Sequence, residues 1–207
     1  MRKLVLVIAA VAAFGVASQA GGAAPITVTL KAAPTTVSWG GSVTLSGVLS
    51  SQKAGQTVTI EEQACGTTAF KRLATATTTT GGAFSLVAKP TINTQYRAHE
   101  KNAISTPVSI GVKPSLVVRK LSAGKFSVKL TAATSFVGKY VLLQRLSGTR
   151  WVTVKKVTLT TVTGTAPNMV SSATVRVRIK SRLKVHVALR QSQATCYLPA
   201  TSRAIRS

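Results

Sequence analysis

Short runs of strict alternation between apolar and polar residues recur along this chain. In ITVTLK, SVTLSGVL, TVTIEEQ, KRLATAT, AFSLVAK, TQYRAHE and PVSIGV, apolar residues tend to fall at every second position, and Gly, Pro, Ser or Asn separates the runs. A period of two places alternate side chains on opposite faces of a strand. The same reading in the second half gives LVVRK, KFSVKLTA, YVLLQR, WVTVKKVTL, TVRVRIK, LKVHVAL and SRAIRS. About seven short strands in about 90 residues predict an antiparallel β-sandwich, and the pattern provides for two of them.

The two halves also resemble each other. GQTVTIEEQ from Gly55 is followed by FKRLATATTTTGG, and GKYVLLQR from Gly138 is followed by WVTVKKVTLTTVTG. Each copy then resumes alternation and closes on a short strand containing Ser or Thr. Internal similarity of this kind indicates one unit used twice, with the boundary at GVKPSL, where Pro114 interrupts pairing. Ahead of both units, residues 1–20 combine Arg2 and Lys3, an apolar run and the small residues Ser18 and Ala20, the pattern of a cleaved signal peptide. The run is short for a membrane span. The expected organisation is a signal peptide over 1–20, a first sandwich over 21–113 and a second over 114–207, exported and soluble.

One stretch resembles a known family. VSWGGSVTLSGVLSSQKAGQTVTI over 37–60, followed by FKRLATATTTTGGAFSLVAKPTINTQYRA over 70–98, is similar to the bacterial Ig-like repeats of secreted and surface proteins. The shared pattern is a Gly before a V-T-L-S-G strand, a G-x-x-V strand, a Gly-containing turn and P-x-x-N-T-x-Y-R. The resemblance implies an all-β chain of two tandem immunoglobulin-like antiparallel β-sandwiches that bind, space or adhere. It also implies a tyrosine-corner role for Tyr96, which the second unit lacks because Val185 aligns there.

Charge sets the two units apart. The chain has 27 Lys and Arg against three acidic residues, Glu61, Glu62 and Glu100, all in the first unit. Residues 114–207 hold 17 basic residues and no acidic one. In TVRVRIKSRLKVHVAL, Val175, Val177, Ile179, Leu183, Val185, Val187 and Leu189 share one parity; Arg176, Arg178, Lys180, Arg182, Lys184 and His186 share the other. The first set is expected in the core and the second in water, with a crossover near Ser181 because sixteen residues exceed the usual strand of about 3–10. Lys125 and Lys129, with Lys155 or Lys156, extend the same surface. Such a polycation self-repels unless an external anion offsets it. The alternative is that Lys and Arg solvate outer faces and protect strand edges.

Catalytic and metal chemistry are poorly supplied. Glu61 and Glu62 are neighbours on a strand and point to opposite faces, His99 and His186 have no Asp to orient them, and the two Cys and two His show no close ligand spacing. No enzyme activity, metal or cofactor is expected. Trp39, Trp151, Tyr140 and Tyr197 are candidates for stacking on sugars or bases, but aromatics in sandwiches mostly serve packing. LPAT over 198–201 approaches a wall-sorting motif, yet Ser202 follows where Gly is needed and the apolar segment is missing; a loop leading into the last strand accounts for it.

Each unit holds one cysteine, which excludes a bridge within either. Sandwich topology brings the loop after the third predicted strand of the first unit, with Cys65, to the end where the second begins, near the loop with Cys196. A Cys65–Cys196 disulfide is therefore expected under oxidising export. Free thiols and an intermolecular bridge are the alternatives. The leading functional expectation is a non-enzymatic secreted module whose second unit associates with an anionic envelope polymer or lipid surface. A protein-binding spacer with incidental basicity and an extracellular nucleic-acid binder are the rivals.

Overall fold

The computed structural model describes residues 25–207 except Ser181. The expected signal peptide and the residue at the expected crossover lie outside that set. Val, Thr, Ile and aromatic side chains fit a pleated, half-buried surface, and the runs rich in them become strands. In the first unit these are β1 (Lys31–Ala33), β2 (Thr36–Ser38), β3 (Val43–Val48), β4 (Thr57–Ala64), β5 (Lys71–Thr77), β6 (Ala83–Ala88), β7 (Thr94–Glu100), β8 (Ala103–Ile104) and β9 (Val108–Lys113). In the second they are β10 (Ser115–Ser122), β11 (Lys125–Ala132), β12 (Tyr140–Ser147), β13 (Arg150–Thr158), β14 (Thr161–Thr163), β15 (Met169–Arg176), β16 (Lys184–Leu189), β17 (Ala200–Thr201) and β18 (Ile205–Arg206).

The first unit stacks the sheet β1-β3-β6 on β2-β9-β7-β4-β5, with β8 beside β7. Pro34, which has no N–H for a ladder, falls where the chain leaves one sheet for the other. β1 pairs antiparallel with β3, whereas β2 pairs parallel with β9. The second unit stacks β10-β11-β15-β14 on β13-β12-β16-β17, with β18 also on β16. Both arrangements have the strand order of immunoglobulin-like sandwiches.

Alternation sorts the side chains as the sheets require. Val43, Leu45, Val58, Ile60, Ala98 and Val112 are fully buried in the first unit, as are Val128, Leu130, Val141, Leu143, Val185 and Val187 in the second. Burial of each larger apolar side chain contributes about 1.5–3 kcal/mol. With few aromatics, Val and Leu supply most of this. The buried residues of the two units form one contiguous cluster.

The junction has its own bonding. Cys65 and Cys196 form a disulfide, their Cα atoms 5.5 Å apart. Asn93 stands between them: its carbonyl accepts from the Cys65 N–H at 2.8 Å and its N–H donates to the Cys196 carbonyl at 3.0 Å. Its side-chain oxygen accepts from the Val112 N–H at 2.7 Å, and the Leu198 N–H donates to the Val112 carbonyl at 2.8 Å. Gly111 lies under Leu198, where a Cβ would come within 2.5 Å of a methyl carbon. Leu198–Thr201 is thus a piece of the junction leading into β17, as the loop reading of LPAT requires.

Each unit buries one tyrosine. Tyr96 is 1% exposed in β7. Burial, together with the Glu62 charge, pushes its phenol up to about 12. In the second unit Tyr197 is fully buried, packs on Phe136 at 5.5 Å and accepts a 2.9 Å hydrogen bond from the Ala133 N–H. That contact ties the loop after β16 to the loop after β11. Tyr197 is therefore a core residue and not a ligand platform.

Candidate functional site

The seven basic residues singled out from the sequence fall into three groups. On β11, Phe126, Val128 and Leu130 point inward, so Lys125 and Lys129 emerge on the outer face of their sheet. Arg176 at the end of β15 is directly opposite Lys125, and Arg119 on β10 is opposite Ser127 between the two lysines. Lys125, Arg176 and Arg178 also line an open hollow of about 470 Å³ beside the β10–β11 turn. Lys155 reaches the same edge, its Nζ donating to the Arg176 carbonyl at 3.3 Å.

The second group is Lys180 and Arg182, both exposed in the arch that joins the two sheets. Here the structure corrects the strand reading. Pairing ends at Arg176 and resumes at Lys184, so Arg178 and Lys180 are in the arch and not in a strand. Alternation nevertheless continues, because Val177 and Ile179 still pack on the core. Arg182 adopts a left-handed backbone with φ of 68°.

The third group is Lys184, on the outer face of the opposite sheet and directly across from Arg206 of β18. His186 follows on that face but is not in water as its parity predicts: it is 8% exposed. The indole of Trp151 stacks on it, with ring centroids 3.7 Å apart and planes 11° from parallel. Nε2 of His186 lies 2.8 Å from Oε1 of Gln144, whose Nε2 donates to the Thr153 hydroxyl at 3.2 Å. Burial lowers the His186 pKa. Farther along, Lys156 sits over the Tyr140 ring at 5.0 Å and shares a small hollow with Arg190.

Register thus sets like charges face to face at Lys125 with Arg176 and at Lys184 with Arg206, an arrangement that destabilises a sheet. Among the described residues, both ion pairs lie in the first unit: Arg97 with Glu61 at 2.6 Å and Lys101 with Glu100 at 3.7 Å. Arg97 also stacks over Phe70 at 4.2 Å, which leaves Glu61 in a structural role. Glu62 faces Tyr96 across the sheet, and burial raises its pKa. Glu61 and Glu62 do not converge on a common point. Among the described residues no three His, Cys, Asp or Glu side chains gather, and no helix is long and apolar enough to cross a membrane.

Arg119, Arg190 and Arg206 were not singled out from the sequence. The signal of Arg119 and Arg206 is cross-strand register, which parity along one strand does not contain, and that of Arg190 is its place beside Lys156 just beyond β16. No protein-family model matches this chain, and no curated protein matches it. Among solved structures it is similar to a marsupial T cell receptor, at a TM-score of 0.35 and 10% identity, over 87% of this chain and all of that one.

Proposed function

We propose that the protein is a non-enzymatic extracellular module whose second sandwich associates electrostatically with anionic envelope polymers or lipid surfaces. The observation that carries this reading is the pair of outer faces in which cations oppose cations, none of them ion-paired among the described residues. Such faces cost folding stability and gain it back when a polyanion neutralises them. The disulfide accords with an oxidising compartment, and the resemblance to bacterial Ig-like repeats accords with an envelope setting.

The test uses the full chain on anionic vesicles and on an acidic polymer. Replacing Arg119, Lys125, Lys129 and Arg176 by Gln should weaken binding by up to about 1 kcal/mol per charge at low salt. Replacing Lys31, Lys53, Lys71 and Lys89 of the first unit should weaken it far less. Binding by the unaltered chain should fall steeply with added salt. Salt-insensitive binding, or equal losses from the two sets, rejects the reading in favour of an apolar protein interface.

A further inference from the structure

The two cationic faces differ in one respect. The β10-β11-β15-β14 face sets its cations among aliphatic side chains such as Val117 and Val162, whereas the β13-β12-β16 face carries an aromatic platform beside its cations. We infer that this second face is a binding site for an acidic polysaccharide, with a sugar ring seated on Trp151 and its carboxylates met by Lys184 and Arg206 at one end and Lys156 and Arg190 at the other. The inference rests on the polyanion reading and narrows it to a ligand class.

Trp151 is 37% exposed, with one indole face stacked on His186. The platform is held in place by the relay from His186 through Gln144 to Thr153. Preorganised aromatic surface binds at little entropic cost, and the apolar face of a pyranose matches an indole. The Thr153 hydroxyl accepts from Gln144, so its own hydrogen is free to donate to a sugar oxygen. Lys184 and Arg190 stand six residues apart on and just beyond β16, about 20 Å at the rise of a strand. That span suits several linked sugars.

Rival ligands fit less well. Single-stranded nucleic acid is held by successive aromatics, one for each base, but here Trp151 stands alone because Lys156 covers the Tyr140 ring. Insertion into a lipid layer, as distinct from electrostatic association with its surface, calls for exposed apolar side chains, yet Leu142 on this face is 4% exposed.

The experiment measures binding of the full chain to polygalacturonate, to polyglutamate of matched charge and to oligothymidylate. Trp151→Ala should lower affinity for polygalacturonate about tenfold, the effect of losing one stacked ring, and leave polyglutamate binding unchanged; Trp151→Tyr should restore most of the loss. In a Trp39→Phe background, the emission of Trp151 should shift with polygalacturonate and stay constant with polyglutamate. Equal losses on all three polymers, a larger loss on oligothymidylate, or no loss on any overturns the sugar site while electrostatic association stands. An emission unchanged at saturating polygalacturonate overturns it even where Trp151→Ala fails to fold. If the unaltered chain binds none of the polymers, the sugar site falls, and if it also fails to bind anionic vesicles the electrostatic reading falls with it.

Discussion

His186 shows how much a single side chain owes to its neighbours on other strands. By parity it belongs in water, but Trp151 from β13 covers it and Gln144 from β12 takes its Nε2. Lys184 lies on the same face with Arg206 opposite, and neither is ion-paired among the described residues. Burial therefore holds the imidazole pKa below its ordinary value of 6.5. As pH falls through 6.5, the unfolded chain takes up this proton before the folded one, so stability declines and levels off below the folded-state pKa. Denaturation midpoints measured from pH 7.5 to 5 should fall on acidification, and His186→Gln should flatten that slope. An unchanged slope in the variant would assign the effect to other groups. The cover over His186 was not legible in the sequence, because it depends on which residue of β13 lies across from Leu146 of β12.

At the scale of elements, alternation located most strands but misjudged their ends. It reports which side chains are buried, not which backbone groups are paired. TVRVRIK reads as strand through Lys180 because Val177 and Ile179 remain against the core after pairing has ceased at Arg176. β2, β8 and β14 are only two or three residues long, too short to show a period. The like-charge pair on β11 and β15 supplies a prediction of this scale. Arg176→Glu converts a repulsive cross-strand pair with Lys125 into an attractive one and should raise stability by about 0.2–1 kcal/mol. The same change should weaken association with polyanions. If thermal stability and binding fall together, the variant has disturbed the sheet rather than its charge.

For the molecule as a whole, the disulfide was legible because one cysteine per unit left no internal pairing and sandwich topology brought both loops to one end. The seat of Asn93 between the two cysteines and of Leu198 over Gly111 was not, since both depend on how the units meet. The bridge closes a loop across 131 positions, which restricts the unfolded chain by about 5 kcal/mol in the loop-entropy account. Cys65→Ala with Cys196→Ala should lose a large part of that in chemical denaturation, and reductant should cost the unaltered chain a similar amount. A loss below about 1 kcal/mol would place the junction's strength in its hydrogen bonds and packing instead. The bridge also decides how the protein behaves under tension. A force applied between residues 25 and 207 passes through sulfur at positions 65 and 196, and everything between them is bypassed. Only β1–β4 at one end and β17–β18 at the other can be drawn out. The tether then extends to about 180 Å, against about 640 Å for the open chain, at roughly 3.5 Å per residue. The cationic arch and most of both outer faces lie inside the shielded loop, so a tug strong enough to strip the ends still leaves the second unit's charged surfaces largely in place.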